Sequence, residues 1–472
     1  MKKLRLLLIN VGLRSLLYPL VSPPMGVMSL AAWLRSRLPV DIRIINQRLD
    51  NSNAHDLADA AASFDADIIG LSVMTPFARV VPDIVKALRE SGTRARIILG
   101  GPHISACGPK VLETIDADAA VAGEGEHAME MFVQAVIDGE NDLGGIPGLF
   151  WRRDGEVVVN PGHAGIVKDL DDLPLPAYDL IDLPEYWRHQ STAPIPRRRY
   201  VSLVSSRGCP YGCIWCHNIS GRMFRPHSPE RVVEEISVFG KRYGVNDIEF
   251  LDDCFNLQRK RVLEISQRLL ASGDRIRLAF PTALRTDILD VEVIDALVAA
   301  GTYYSGFSLE SASERIQVMT RKRLDVQKYL DNVALFAKRR VFTNGFMMLG
   351  FPGETAEEME LTISTAAKSA LHTASFFTVT PFPGTELYEM TMATHPELLA
   401  EIDYTGMDFS MVRINLSNVP SEVLFQYQRR ANRLFFMNPV RIARIARDFP
   451  QPMLLPMYVP ILANRIFKGL FK

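Results

Sequence analysis

Three cysteines packed into eight residues restrict what this chain can fold into more than any other feature of the sequence. They stand at C-x3-C-x2-C spacing in the segment Ser206-Arg207-Gly208-Cys209-Pro210-Tyr211-Gly212-Cys213-Ile214-Trp215-Cys216, after the strand-like run 200–204. The glycines and the proline of this segment break regular structure, so the sulfur atoms can surround one centre. Three thiolates are one fewer than a closed structural zinc site needs. They match an iron–sulfur cube with one iron left open to a ligand that is not protein.

The cysteine segment resembles the signature of the radical SAM superfamily, in which an aromatic residue, here Trp215, precedes the third cysteine. The resemblance implies that Cys209, Cys213 and Cys216 bind a [4Fe-4S] cluster whose open iron is chelated by S-adenosylmethionine (SAM). A zinc loop and reduced structural cysteines are the alternatives.

Length and composition indicate an ordinary globular protein. The 472 residues allow roughly three domains, and 47% apolar with 23% charged residues is enough to build large cores. A formal net charge of -1 argues against a nucleic-acid partner that is bound through bulk electrostatics.

The cysteine count and the first residues bear on where the protein works. Five cysteines in so long a chain do not form a disulfide framework, which predicts a reducing compartment. The start Met1–Asn10 superficially resembles a signal peptide, but Arg5 and Asn10 interrupt its apolar run and no small-residue cleavage site follows. No stretch reaches the roughly eighteen apolar residues of a membrane span. We therefore predict a cytoplasmic protein whose first residues form a buried strand.

Short apolar runs alternate with helical patterns from residue 4 to about 138. The predicted strands are 4–9, 41–45, 66–73, 96–99 and 118–121, with helix-like stretches near 26–38, 54–63, 80–91, 108–114 and 126–137. Five buried strands with crossover helices predict a doubly wound, Rossmann-like parallel sheet, whose ligands bind at the carboxyl ends of the strands.

Three loops at those carboxyl ends carry glycine or small polar residues: Ser72–Thr75, Gly100–His103 and Gly123–Glu126. Ahead of a radical SAM motif, this half of the chain resembles the cobalamin-binding domain, which implies cobalamin as a cofactor. The expected contacts are Ser72, Met74, Gly100, Gly101, His103, Gly123 and Glu124. For His103, a loop histidine bonded to backbone is the alternative.

The loop after the first strand departs from the pattern of many cobalamin-binding domains. Those domains carry Asp-x-His-x-x-Gly there, and the histidine ligates cobalt from below. Here the loop is Val11-Gly12-Leu13-Arg14-Ser15-Leu16-Leu17, without histidine. Either cobalt has no protein imidazole beneath it or the domain has lost the cofactor. We favour the former, because the radical SAM relatives of this domain commonly lack that histidine.

The next segment predicts a hairpin and a linker. Residues 149–159 alternate around an Asp-Gly turn, and 169–176 form a proline-rich acidic connector. We therefore divide the chain into a cobalamin-binding domain (1–145), a hairpin and linker (146–195), a catalytic barrel (196–390) and a C-terminal region (391–472).

From residue 198 strand and helix alternate about six times, with strands near 200–205, 247–252, 277–282, 304–309, 343–349 and 374–380. Six βα units suit the partial (β/α)6 TIM barrel of the superfamily, in which sites gather at strand carboxyl ends. The resemblance implies SAM contacts at those ends from Asp252, Asp253, Arg285, Glu310, Gly350 and Pro352. A helix-capping turn is the alternative for the pair of aspartates. We name no catalytic residue beyond the cluster and SAM sites.

Outside the motif only two cysteines remain, Cys107 and Cys254. They are too few for a second cubane, which argues against methylthiotransferases and against maturases with auxiliary clusters. We expect both thiols to be inert packing residues.

The C-terminal region is predicted to be mostly helical, with a basic and apolar tail. From Arg429 to Lys472 nine Lys and Arg residues face one acid, Asp448, and an apolar run covers 453–462. Peripheral contact with an anionic membrane, which would bring the protein to a lipid-like substrate, is one interpretation. A helical cap on the barrel with solvated basic residues is the other.

Together these features predict a cobalamin-dependent radical SAM methyltransferase that acts on an unactivated carbon of a small-molecule or lipid-like substrate. It would need a low-potential electron donor of the flavodoxin or ferredoxin type. Radical oxidative cyclisation or ring rearrangement with the same cofactors is an alternative. A cobalamin-binding sensor with a vestigial cluster is another, less favoured because the cysteine triplet is intact.

Overall fold

The computed structural model describes residues 3–14, 19–195, 198–404, 414–457 and 459. These residues form a seven-stranded sheet, a six-stranded sheet and a two-stranded ribbon, with helices packed around both large sheets. The chain has the α/β architecture that the alternating patterns predict.

The first sheet has the strand order β2-β1-β3-β4-β5-β6-β7, with the first five strands parallel. Its strands are β1 (Leu4–Asn10), β2 (Val40–Asn46), β3 (Ile68–Ser72), β4 (Arg96–Gly100), β5 (Ala119–Val121), β6 (Leu149–Arg153) and β7 (Glu156–Val159). Its helices are α1 (Met25–Arg37), α2 (Gln47–Asp50), α3 (Ala54–Phe64), α4 (Val81–Glu90), α5 (Pro102–Cys107), α6 (Val111–Thr114) and α7 (Glu126–Asp138). The order reverses next to β1, as in doubly wound folds.

Alternate side chains of each strand enter different apolar layers, because successive residues of a strand point to opposite faces. In β1, Leu6 and Leu8 pack with α1 and α7, whereas Leu7 and Ile9 pack with α3 and α4. Both faces are therefore covered, and the carboxyl edge of the sheet remains as the place for a ligand.

The 149–159 hairpin forms as predicted, but it belongs to the sheet. β6 pairs antiparallel with β5 and β7 pairs antiparallel with β6. We placed this hairpin with the linker, since its alternation shows a hairpin without showing which strand it joins.

The connector joins the two halves through a buried tyrosine. Tyr178, just before the short helix α8 (Leu183–Trp187), is 1% exposed. Its hydroxyl donates to the carbonyl of Ser202 at 2.6 Å and accepts from the same residue's amide at 2.8 Å. The connector is therefore packed against the first barrel strand.

The second sheet is a set of six parallel strands in the order β15-β14-β13-β12-β11-β8. Its strands are β8 (Tyr200–Leu203), β11 (Asp247–Phe250), β12 (Arg277–Leu284), β13 (Thr302–Glu310), β14 (Phe342–Leu349) and β15 (Thr373–Thr378); β9 (Ser206–Arg207) and β10 (Arg225–Pro226) form the separate ribbon. Its helices are α9 (Pro229–Tyr243), α10 (Arg259–Ala271), α11 (Val291–Ala299), α12 (Glu314–Met319), α13 (Val326–Lys338), α14 (Ala356–Lys368), α15 (Glu386–Thr394) and α16 (Pro396–Ala400). β8 and β15 stand at opposite edges, so the barrel is open, as predicted.

In the C-terminal region two helices, α17 (Ser421–Phe436) and α18 (Pro439–Asp448), pack on the barrel. Arg441 is 1% exposed and donates to carbonyls at the end of α14, including that of Ala367 at 2.6 Å. Asp448 accepts a hydrogen bond from His372 at 3.1 Å, and both side chains are fully buried. A helical cap is thus present, although its basic residues are partly used inside it rather than solvated.

Four of the ten residues of the apolar run at 453–462, namely 458 and 460–462, lie outside the described residues, as does the rest of the chain to 472. Among the residues that are described, no helix is both long and apolar enough to cross a bilayer.

Candidate active site

The cysteine loop, residues 208–224, leaves and rejoins the barrel at one point. β9 and β10 flank it and pair antiparallel, with Arg207 opposite Arg225. Gly208 begins the loop with φ at 86°, and a Cβ there would collide with the carbonyl of Met223. The loop therefore closes only with glycine at this position.

Two residues between the cysteines, Ile214 and Trp215, attach the loop to the carboxyl-terminal end of the barrel. Ile214 is 2% exposed, its amide donates to the carbonyl of Thr320 at 3.2 Å, and its carbonyl accepts from Leu387 at 2.9 Å. Trp215 packs edge-on against Phe351, with ring centroids 5.5 Å apart. These contacts hold the thiols at the carboxyl ends of the barrel strands.

The three thiols differ in exposure but share one electrostatic problem. Cys209 and Cys213 are half-buried and Cys216 is exposed. The surrounding protein raises the pKa of all three, and repulsion from the other two thiolates helps raise that of Cys216 to about 12, although solvent still reaches it. Such a triplet needs positive charge to become three thiolates, and cluster irons supply it.

In the part of the chain that the structure describes, no three Cys, His, Asp or Glu side chains are gathered closely enough to hold one metal ion. In an iron–sulfur cube each cysteine binds a different iron, so its sulfur ligands need not meet at one point. The loop fits a cluster on these grounds.

The two aspartates after β11 occupy different environments. Asp252 is 1% exposed and accepts from the amide and hydroxyl of Ser205, at 3.2 and 2.7 Å, and from the hydroxyl of Ser206 at 2.5 Å. Asp253 is exposed, accepts from the amide of Gly208 at 3.3 Å and lies on a cavity wall. We predicted SAM contacts from both; the geometry gives Asp252 protein partners and leaves Asp253 available.

Arg285 lies against the cysteine loop. Its guanidinium carbon stands 3.8 Å above the ring centroid of Tyr211, and its nitrogens donate to Asp287 and to the carbonyl of Lys322 at 2.9 Å. These contacts hold Arg285 against Tyr211 of the cysteine loop. A direct contact of Arg285 with SAM stays a prediction.

Glu310 ends β13 in a strained conformation. Its φ is 65°, unusual for a residue with a side chain, and it is 8% exposed. Burial raises the pKa of its carboxyl group, whose Oε1 lies 3.5 Å from Nζ of Lys322. Strain and a buried ion pair coincide at the barrel mouth, where a functional contact is expected.

The turn after β14 packs against the same loop. Gly350 has φ at 94°, and its amide and that of Phe351 donate to the carboxylate of Glu354 at 2.6 and 3.1 Å. Pro352 is half-buried and lies between Phe351 and Glu354 in the sequence. The turn places Phe351 on Trp215, and SAM contacts from the neighbouring Gly350 and Pro352 stay predictions.

A cavity of about 620 Å³ lies between the first sheet and the barrel. The first half lines it with the carboxyl ends of β1, β3, β4 and β5, among them Ser72, Met74, Gly100, Gly101, Gly123 and Glu124. The second half lines it with the barrel mouth and α9, including Ser206, Arg207, His227, Arg231, Glu235 and Asp253. Small-molecule sites are of this size and occur at such domain junctions.

The glycines on the sheet side leave room for a ligand. A Cβ built on Gly100 or Gly123 would meet nothing within 4 Å, although both line the cavity. On Gly101, with φ at 96°, a Cβ would press on the backbone of Val73 at 2.8 Å. These loops form a cradle of backbone that a large cofactor can approach closely, so the residues fit cobalamin.

His103 has a local partner instead of a place in the cavity lining. Its Nδ1 lies 3.4 Å from the hydroxyl of Thr75 and 3.7 Å from the sulfur of Cys107. Burial lowers the pKa of the imidazole. Contact of His103 with a corrin stays a prediction that this geometry does not favour.

The loop after β1 is described only to Arg14, so part of the segment without histidine lies outside the described residues. Its glycine is covered by the first two residues of α2, Gln47 and Arg48. The amide of Gly12 donates to Gln47 at 2.9 Å, and a Cβ on Gly12 would meet Cγ of Arg48 at 2.7 Å. Arg48 also lines the cavity, on the side of the first sheet.

Glu124 binds the two halves together. Its carboxylate receives Arg207 at 3.0 Å and also Arg225, the two arginines that face each other across the β9–β10 ribbon. Glu126 receives Arg207 at 2.7 Å. We predicted Glu124 as a cobalamin contact. Its carboxylate is instead paired with Arg207 and Arg225, which flank the cysteine loop at its base, so the neighbouring glycines are the residues left to face the cofactor.

Four residues of the site were missed from the sequence: Arg207, Arg225, Lys322 and Glu235. Lys322 stands in a visible run of three basic residues, and Arg207 stands two before Cys209. Glu235 interrupts the buried face of α9 between Val232 and Ile236. A charge on an apolar stripe was the available signal for it.

Comparisons with known proteins agree with this geometry. Residues 203–366 match the model of the radical SAM superfamily, and residues 17–133 match that of the B12 binding domain. An uncharacterised methyltransferase of Pyrococcus horikoshii is 31% identical over 448 residues, which cover 93% of this chain and 94% of that protein. The anaerobic magnesium-protoporphyrin IX monomethyl ester cyclase of Rubrivivax gelatinosus is 26% identical over 376 residues, 78% of this chain and 66% of that protein.

A solved structure shows the same fold. The radical SAM methyltransferase TsrM of Kitasatospora setae superposes with a TM-score of 0.71 at 18% identity, covering 83% of this chain and 77% of that one. The end-to-end relative and the two family matches agree with the cysteine loop and the glycine cradle. This chain therefore belongs to the radical SAM superfamily, in the group of enzymes that carry an N-terminal B12-binding domain.

Proposed function

We propose that the protein is a cobalamin-dependent radical SAM methyltransferase that methylates an unactivated carbon. The observation that carries the proposal is that the glycine cradle and the base of the cysteine loop, at Ser206 and Arg207, line the same cavity. When bound, the reduced cluster would supply the electron that splits SAM into methionine and a carbon radical able to remove hydrogen from the substrate, and cobalamin would supply the methyl group.

The chain's own residues would position these groups. Cys209, Cys213 and Cys216 would hold the cluster. Five barrel residues would surround SAM: Asp253, Arg285, Glu310, Lys322 and Gly350. Ser72, Met74 and the cradle glycines would hold cobalamin, while Glu124 keeps the cradle against the cysteine loop.

Two finer features belong to the same proposal. The cluster needs a low-potential electron donor of the flavodoxin or ferredoxin type, and we place the protein in the cytoplasm.

We propose peripheral membrane contact only for the tail beyond α18, since Arg441 and Asp448 are occupied inside the cap. Liposome co-sedimentation of the chain and of a version truncated near 450 tests this; equal pelleting contradicts it.

The central experiment uses anaerobically reconstituted protein, SAM and a strong reductant. We expect wild type and the control variant Cys107→Ala, which removes a thiol outside the cysteine loop, to show cluster absorbance and to form 5'-deoxyadenosine. Cys213→Ala should lose both and still bind cobalamin, because the cradle lies in the other half. Formation of 5'-deoxyadenosine by Cys213→Ala at the wild-type rate would contradict the proposal.

The Rubrivivax relative keeps oxidative cyclisation as a second candidate, because its similarity extends over most of the chain. SAM with a deuterated methyl group separates the two outcomes. We expect the label in the product; a cyclised product without label would favour the alternative. Methylation is preferred because the relative that matches from end to end is a methyltransferase.

A further inference from the structure

The cavity has one wall residue whose chemistry the proposed function does not use. Glu235 lies on α9, is only 4% exposed and lines the cavity on the barrel side. Within the described residues its carboxyl group makes no hydrogen bond. Its nearest cation is Arg231 on the same helix, whose Nε stands 3.7 Å from Oε2, beyond hydrogen-bonding distance.

The surroundings of Glu235 do not favour a charged carboxylate. Asp252 from the end of β11 and the exposed Glu234 repel the charge, whereas Arg231 alone attracts it. One amino group of the Arg231 guanidinium donates to the carbonyl of Leu173 at 2.9 Å, whereas Nε, the atom nearest to Glu235, makes no hydrogen bond within the described residues. Burial therefore dominates and raises the pKa of Glu235 to about 7.

A buried carboxyl without a hydrogen bond destabilises a fold unless a ligand completes it. With a pKa of about 7, Glu235 is partly protonated near neutral pH, and its protonated carboxyl group both donates and accepts a hydrogen bond. A primary amide matches it with one N–H donor and one C=O acceptor. The cofactor that the opposite wall fits, cobalamin, carries primary amides around the rim of its corrin. The cavity runs without interruption from the cradle glycines to Glu235.

We propose that Glu235 is a cofactor-binding residue that hydrogen-bonds a rim amide of cobalamin from the barrel side. It would give the corrin a contact to the second half of the protein, opposite the cradle. The inference rests on the proposed function, because it requires cobalamin in this cavity.

The test compares Glu235→Leu and Glu235→Gln with Glu234→Gln, a matched control one residue away on the exposed side of α9. Cobalamin affinity is measured by absorbance titration of cofactor-free protein, and thermal stability is measured without cofactor. We expect Glu235→Leu to bind cobalamin about tenfold more weakly, yet to be more stable than wild type without cofactor. Glu235→Gln should bind nearly normally, because an amide still pairs with an amide.

The stability difference should depend on pH. The pKa of Glu235 is raised by folding, so the wild-type protein loses stability as pH rises from the ordinary glutamate range through 7. The melting-temperature gap between Glu235→Leu and wild type should therefore be small at pH 5 and larger at pH 8. Glu234→Gln should show neither effect.

The outcomes separate this inference from the proposed function. If wild type and Glu234→Gln fail to bind cobalamin, the proposed function fails. If they bind it and Glu235→Leu binds equally well, only the contact at Glu235 is overturned. A Glu235→Leu protein that is less stable without cofactor would also overturn it, since that result assigns the carboxyl a structural role.

Discussion

At the scale of single residues, two neighbouring aspartates show how burial divides roles. Asp252 receives three hydrogen bonds from the serines that precede the cysteine loop, and Asp253 faces the cavity. Nothing in the dipeptide distinguishes them. The segment that follows β11 distinguishes them, because it directs one side chain into the protein and leaves the next at the cavity wall.

We predict that Asp252→Asn lowers the free energy of unfolding by about 2 kcal/mol, because an amide cannot accept all three hydrogen bonds. Cluster content should fall with it. Asp253→Asn should leave stability within about 0.5 kcal/mol and instead weaken SAM binding. Urea unfolding and equilibrium dialysis with SAM measure the two effects. Equal destabilisation by both substitutions would show that the division is wrong.

At the scale of elements, α18 is held by polar contacts that face inward. Arg441 caps the carboxyl end of α14, and its guanidinium lies 3.4 Å from the ring centroid of Phe435. Helix carbonyls at that end have no partners within their own helix, so the guanidinium satisfies them. Burial lowers the pKa of Arg441 to about 9. Arg441, which belongs to the basic C-terminal region, therefore caps a helix inside the protein.

We predict that Arg441→Met destabilises the protein by about 2 kcal/mol, because the carbonyls of α14 lose their donor while the apolar stem is kept. The control is Arg433→Met, on the exposed side of α17, which should change stability by less than about 0.5 kcal/mol. Urea midpoints of the cofactor-free proteins give the comparison. If Arg441→Met leaves the free energy of unfolding unchanged, water can replace the guanidinium at these carbonyls, which contradicts the prediction.

At the scale of the whole molecule, the ion pairs between distant segments differ in burial. Glu124 with Arg207 and Arg225 is almost fully buried, whereas Arg35 pairs with Asp179 at the surface, at 2.5 Å. Removing one partner of a buried pair leaves an uncompensated charge, but exposed pairs contribute little. The buried pair should therefore govern how the two halves unfold together.

We predict that Glu124→Ala lowers stability by about 3 kcal/mol and splits thermal unfolding into two transitions. Cobalamin affinity should fall as well, because the cradle is no longer held against the barrel. Arg35→Ala should unfold in one transition, within about 1 kcal/mol of wild type. Scanning calorimetry distinguishes them, and a single unshifted transition in Glu124→Ala would contradict the coupling.

The sequence by itself determined most of the strands and helices and the order of the two α/β halves, and it predicted the cluster cysteines. Those follow from periodicity along the chain and from short spacing, which are local properties. The candidate positions at strand ends, such as Asp253, Glu310 and Gly350, were found because parallel strands bring their carboxyl ends together.

Only the tertiary structure decided which of those polar residues face the cavity. Glu124 lies in a predicted cofactor loop and bonds arginines of the other half, about a hundred residues away. Arg441 and Glu235 lie on ordinary helices and become special through what packs around them. Burial and pairing depend on contacts between distant segments, and no local pattern carries that information. That physical difference separates the residues we predicted from those we missed.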